Sequence, residues 1–68
     1  MNAMKFRLGD TVRVINRRDY NFDKVGRVTT IDKSSPEGMS FRVTGIDPSW
    51  PLWYSPHELI LAEKEDSR

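Results

Sequence analysis

The segment Met39-Ser40-Phe41-Arg42-Val43-Thr44 decides the fold class, because its side chains alternate between apolar and polar without a break. A period of two places the apolar side chains on one face of a β-strand and the polar ones on the other. Short runs of the same kind lie on both sides of this segment, and no long stretch keeps the 3.6-residue apolar period of a helix. The sequence therefore predicts an all-β fold built from short strands.

Four more strands are predicted around this segment. They cover residues 10–15, 25–32, 52–54 and 59–61. In the second of them, Gly26 is expected to mark a bulge or a position with positive φ. Val28 and Ile31 are three residues apart, which breaks strict alternation. A β-bulge or a strong bend near Thr29-Thr30 would allow both side chains to face inward, as a tightly curled small barrel requires.

Two features connect these strands. Residues 16–24 are polar but contain two aromatic side chains, which predicts a folded loop rather than a solvated one; we call this segment the first loop. Ser55-Pro56-His57-Glu58 has the capping-box pattern of one helical turn directly before the last strand. The predicted core consists of Val12, Val14, Val28, Ile31, Met39, Phe41, Val43, Trp53, Leu59 and Leu61.

Length and composition restrict the possible functions. The chain has 68 residues, which is enough for one small domain with little room for an enclosed active site. Its formal net charge is +1, so bulk charge alone does not indicate a polyanionic partner. It contains no cysteine and a single histidine, His57, so no disulfide, thiolate nucleophile or metal site is expected, and no cofactor. Ser55, His57 and Glu58 are too close in sequence to form a catalytic triad. The sequence predicts a protein that is not an enzyme.

The chain is expected to be organised as a single unit. We predict an N-terminal extension at residues 1–5, a barrel at residues 6–61 and a charged flexible tail at residues 62–68. No apolar run has the length of a membrane span, and the N-terminus lacks the apolar core of a signal peptide. These features predict a cytoplasmic protein that does not insert into membranes. Exposed edges of a partly open barrel could pair two copies, so we expect a monomer or a weak dimer.

The order of the predicted elements and three motifs resemble known families. Five short strands with a single helical turn before the last are the order of an SH3-like barrel. Gly9-Asp10-Thr11-Val12-Arg13-Val14 and Val25-Gly26-Arg27-Val28 resemble both KOW-type domains and the PsaE subunits of photosystem I. Trp53-Tyr54-Ser55-Pro56-His57-Glu58-Leu59 is similar to the closing segment of small bacterial and phage SH3-like proteins. The resemblance implies a five-stranded SH3-like barrel.

An aromatic set gives the leading functional hypothesis. If the first loop lies near the segment before the helical turn, as the resemblance implies, aromatic side chains from both can form a groove for a protein partner. Of the adjacent pair Trp53 and Tyr54, one faces the core, and we expect this to be Trp53. The predicted partner-binding residues are Tyr20, Phe22, Trp50 and Tyr54.

A basic set gives the alternative. Residues 1–33 carry eight basic and four acidic side chains, whereas the rest of the chain carries three and six. A nucleic-acid-binding or ribosome-binding surface, as the KOW resemblance implies, would use Arg13, Arg17, Arg18 and Arg27. These arginines would otherwise pair with Asp10, Asp19 and Asp23 on a solvated face. The PsaE resemblance implies a third possibility, an accessory subunit of an electron-transfer complex.

Overall fold

The computed structural model describes residues 4–62 and contains five antiparallel strands in one sheet. The strands are β1 (Thr11–Val14), β2 (Val25–Ile31), β3 (Phe41–Thr44), β4 (Leu52–Tyr54) and β5 (Leu59–Leu61), with a 3₁₀ turn at Pro56–Glu58. Their spatial order is β4-β3-β2-β1-β5. The predicted all-β class, the five strands and the helical turn before the last strand are confirmed. Most of the predicted N-terminal extension and all but the first residue of the predicted tail lie outside the described residues.

The inner face of the sheet forms the core. Side chains from all five strands and from the segments beside them are buried there: Phe6, Val12, Val14, Val28, Phe41, Val43, Ile46, Tyr54 and Leu59. The rings of Phe6 and Phe41 meet edge to face, with centroids 5.0 Å apart. The predicted core residues Ile31 and Leu61 are partly buried against this cluster. Phe6, Ile46 and Tyr54 were not among the predicted core residues.

Two predicted core residues lie on the surface instead. Met39 is 60% exposed because β3 begins at Phe41, and buried Ser40 precedes it in the connecting segment. Trp53 is 38% exposed because it pairs with Arg42 on the outer face of the sheet, whereas Tyr54 pairs with Phe41 on the inner face. The expected orientation of the Trp53 and Tyr54 pair is therefore wrong.

The irregularity in β2 is confirmed as a β-bulge. Val28 pairs with Val43 and Thr30 pairs with Arg42, which leaves Thr29 as an extra residue. The bulge allows Ile31 to pair with Phe41 on the inner face. It also bends β2, so that the sheet curves around its own core.

Gly26 has a different role from either one predicted. The bulge lies elsewhere in β2, and the positive-φ glycines are Gly9 and Gly45. A Cβ atom at Gly26 would stand 2.6 Å from the Thr44 carbonyl oxygen and 2.7 Å from a Val43 methyl group. Gly26 is required because neighbouring backbone and core side chains approach it closely.

Within residues 4–62, no helix has both the length and the apolar character needed to span a membrane.

Candidate interaction surface

The first loop, residues 16–24, folds as a series of tight turns. The amide groups of Asp19, Phe22 and Lys24 donate to the carbonyls of Asn16, Asp19 and Asn21, respectively, at 2.9 to 3.0 Å. The Asp19 carboxylate also accepts the Asn21 amide at 2.7 Å. The three backbone bonds close β-turns, and the Asp19 contact is typical of an Asx turn, in which a side chain replaces a backbone partner. They confirm the prediction of a folded loop.

The start of the first loop is attached to the 3₁₀ turn through Glu58. One oxygen of the Glu58 carboxylate accepts the Ser55 amide at 2.9 Å, which is the capping contact that the sequence predicts. The other oxygen accepts the Asn16 side-chain amide at 2.9 Å. The Glu58 carbonyl accepts the Ile15 amide at 2.8 Å. Both carboxylate oxygens of Glu58 are therefore engaged in holding the structure together.

The middle of the first loop rests on Tyr54, which the sequence places in the partner-binding set. The structure corrects this prediction, because Tyr54 is only 3% exposed and its ring belongs to the core. Its hydroxyl group lies beside the side chains of Asp19 and Asn21. Burial, followed by the charge of Asp19, raises the pKa of Tyr54. Tyr54 thus supports the loop from beneath and is not available to a partner.

This arrangement predicts a loss of stability at high pH. Because the folded pKa of Tyr54 is raised, its contribution is complete below the unfolded pKa of about 10 and is lost as the pH rises through the folded value. We expect Tyr54→Phe to be less stable than the wild type near neutral pH and to lose less stability between pH 9 and pH 11, a range of about two units around that pKa. Urea unfolding at both pH values checks this. Equal losses in the two proteins would show that Tyr54 does not titrate as described.

Two aromatic side chains remain exposed on the loop, each with a cation beside its ring. Tyr20 is 93% exposed, and the Lys24 ammonium lies 5.6 Å from its ring centroid. Phe22 is also exposed, and the Arg17 guanidinium lies 5.6 Å from its centroid. Cations at this distance are attracted to the negative face of an aromatic ring. The loop therefore displays aromatic area and positive charge together.

Trp50 provides a further exposed aromatic side chain, away from the loop contacts. It is 69% exposed and lies in the β3–β4 connection between Pro48 and Pro51. Among residues 4–62 its ring does not contact Tyr20 or Phe22. The structure therefore presents Trp50 as a separate feature rather than as part of one continuous aromatic groove.

The predicted arginines occupy two different places. Arg13 and Arg27 project from the outer face of neighbouring strands, as the pairs Arg13–Val25 and Thr11–Arg27 require. Arg17 and Arg18 are exposed on the first loop. The Arg13 guanidinium forms an ion pair with the Asp23 carboxylate at 3.2 Å. Asp23 is one of the three carboxylates considered above as partners for the arginines.

The other two predicted carboxylate partners are used to build loops. Asp10 accepts the backbone amide of Arg7 at 2.9 Å, and Asp19 is held within the first loop. Within the described part of the chain, Arg17, Arg18 and Arg27 have no carboxylate within ion-pair distance. Most of the basic set is therefore electrostatically available.

An open groove that the sequence does not predict lies beside the first residues described. It has a volume of about 580 Å³ and is lined by Met4, Phe6, Arg7, Leu8, Ile31 and Lys33. The even spacing of Met4, Phe6 and Leu8 is the one sequence signal that could have indicated it. Residues 4–62 contain no cluster of three or more His, Cys, Asp or Glu side chains arranged to hold a metal ion.

No protein-family model matches the chain, and a search of curated proteins yields no significant match.

Proposed function

We propose that this chain is a non-catalytic interaction module that docks onto a larger protein assembly through its first loop. The observation that carries the proposal is that Tyr20 and Phe22 are exposed on a loop that its own turns and the Asn16–Glu58 hydrogen bond hold in place. Exposed aromatic side chains are enriched among the residues that dominate binding energy. A loop that is already ordered loses little conformational entropy when it binds.

The cations beside the rings indicate the chemistry of the partner. Lys24 and Arg17 stand next to Tyr20 and Phe22, and Arg18 is exposed between them in sequence. A partner surface that offers apolar area for the rings and carboxylates for the cations would match this loop. We therefore propose a protein partner with an acidic, partly apolar docking site. Trp50 would add a second contact if the partner extends to the β3–β4 connection.

The resemblance to SH3-like proteins supports a binding role. The strand order β4-β3-β2-β1-β5, with a 3₁₀ turn before β5, agrees with the SH3-like arrangement that the motifs implied. In such folds the binding residues commonly lie on loops that a rigid sheet holds in position, and the fold alone does not specify a ligand. The chemistry of the partner therefore has to be inferred from the side chains of the first loop.

Removal of the exposed aromatic side chains is expected to abolish partner capture. The double variant Tyr20→Ala/Trp50→Ala removes two rings that contribute little to the core, so the fold should be retained. Loss of binding-energy anchors typically costs about 2 kcal/mol or more each, which is at least about a 30-fold loss of affinity. Immobilised wild type and variant would be compared by affinity capture from a lysate of the source organism.

Met39→Ala provides the matched control for this experiment. Met39 is a large exposed side chain outside the first loop, so its removal should leave capture unchanged. Circular dichroism would establish that all variants are folded. Equal capture of the same partner by the wild type and the double variant would refute the proposal.

The second candidate function is nucleic-acid binding, as in the KOW-type domains that the chain resembles. It is favoured by the exposed Arg17, Arg18 and Arg27, none of which forms an ion pair within residues 4–62. Phosphate groups could occupy these cations, and exposed aromatic rings can stack on bases. Binding of this kind would weaken steeply with salt, whereas capture of a protein partner after nuclease treatment would favour the first proposal.

A further inference from the structure

The outer face of the sheet carries a diagonal row of three arginines. Thr11 pairs with Arg27, and Arg13 lies two residues further along β1. Arg27 in turn pairs with Thr44, and Arg42 lies two residues before Thr44 on β3. Arg13, Arg27 and Arg42 are therefore successive diagonal neighbours on β1, β2 and β3, at about 7–8 Å between backbones.

An exposed aromatic side chain lies at one end of this row. Trp53 pairs directly with Arg42 and faces outward on β4. Its indole is more than one-third exposed. The row of arginines together with Trp53 is called the arginine track below.

The track carries little compensating negative charge. Asp23 pairs with Arg13, but Arg27 and Arg42 have no ion pair within residues 4–62. The Nε atom of Arg42 is covered by neighbouring atoms and makes no hydrogen bond among the described residues. The remaining outward positions of β1, β2 and β3 in this region are neutral side chains: Thr11, Val25, Thr30 and Thr44.

We propose that the arginine track binds single-stranded nucleic acid, with the arginines following the phosphates and Trp53 stacking on a base. This inference rests on the second candidate function and assigns it to a surface other than the first loop. Regularly spaced cations match a repeating anionic backbone better than the isolated carboxylates of a folded protein surface. A single strand is favoured over a duplex, because an exposed indole can stack only on bases that are not already paired and stacked.

The test is a fluorescence-anisotropy titration of the full chain with labelled oligo(dT) over a range of salt concentrations. Arg27→Gln/Arg42→Gln should lower the affinity at least about tenfold, and it should reduce the slope of log affinity against log salt by about 1.4, the value for two lost phosphate contacts. Trp53→Ala should lower the affinity about fivefold or more and leave the salt slope unchanged. The comparison variant, Arg17→Gln/Arg18→Gln, removes the same charge from the first loop and should lower the affinity by a smaller factor than the track variant does.

The outcomes separate the track from the broader candidate function. If the loop variant loses affinity and the track variant does not, the track assignment is wrong while nucleic-acid binding stands. If the wild type does not bind oligo(dT) even at low salt, the assignment of single-stranded nucleic acid to the track is wrong. Competition by polyglutamate as effective as that by unlabelled oligo(dT) would also overturn the assignment. If the double variant does not fold, the affinity of the single variant Arg27→Gln tests the track instead. This variant should fold, because Arg27 is exposed and makes no ion pair within residues 4–62.

Discussion

Phe41→Ala is expected to leave most of the protein unfolded at 25 °C. Phe41 is completely buried, and it pairs with Ile31 on one side and Tyr54 on the other, so three strands meet at its ring. Its ring also contacts Phe6 from the N-terminal segment. Truncation of a buried phenylalanine costs about 3–5 kcal/mol, which is comparable to the total stability of a domain of this size. Urea unfolding followed by circular dichroism measures the loss.

Met39→Ala is the control for this experiment. Met39 belongs to the same alternating segment and would be equally important if the strand began at residue 39. Because the structure exposes it, its truncation should change the free energy of unfolding by less than about 0.5 kcal/mol. Similar losses for the two variants would mean that the strand begins earlier than the structure shows.

Gly26→Ala is expected to cause the second largest loss, although it adds only one methyl group. The new Cβ would meet the Thr44 carbonyl oxygen at 2.6 Å, a Val43 methyl group at 2.7 Å and an Ile46 carbon at 2.8 Å. The Thr44 carbonyl group belongs to the backbone of β3, so it cannot move away from the new methyl group without disturbing the pairing of β2 with β3. Overpacking of this kind costs about 1–3 kcal/mol. Thermal and urea unfolding would both show the decrease.

Gly38→Ala adds the same methyl group where space exists. Its nearest neighbour would be the Ser35 Cβ at 3.4 Å, so little change in stability is expected. If Gly26→Ala proved as stable as Gly38→Ala, β2 and β3 would have to be further apart than the structure shows.

Much of the fold could be predicted because strand formation follows a local pattern. Val12 and Val14 in β1, and Phe41 and Val43 in β3, alternate with polar residues. This alternation defines the inner face of each strand without knowledge of its partner strand. An irregularity near Thr29-Thr30 was predictable too, since Val28 and Ile31 cannot both face inward on a regular strand. That it is a bulge with Thr29 as the extra residue is determined by the pairing with β3. The starting residue of a strand is less certain, because the segment before Phe41 is drawn into a turn that alternation does not reveal.

The error at Trp53 and Tyr54 has a specific physical cause. Both are large aromatic residues, and alternation requires only that they face opposite sides. The choice depends on register: Tyr54 pairs with Phe41 and can place its hydroxyl group against Asp19 and Asn21. A tyrosine buried in this way satisfies its polar group, and no local pattern reports such a distant partner.

The candidate surface was only partly predictable for the same reason. The exposure of Tyr20 follows from its place in a polar loop, but the contact that fixes the loop joins Asn16 and Glu58 across 42 residues. The arginine track was missed because Arg42 joins Arg13 and Arg27 only through the pairing of three strands. Alternation indicates which side chains share a face of one strand, whereas the register between strands determines which of them become neighbours.

The most direct test of the proposed binding role is a chemical-shift titration of ¹⁵N-labelled protein with the purified partner recovered by wild-type capture after nuclease treatment. We expect the largest amide shifts in residues 16–24, with smaller ones around Trp50. Shifts confined to the outer face of the sheet, or to the groove beside Phe6 and Leu8, would contradict the assignment of the first loop as the recognition element.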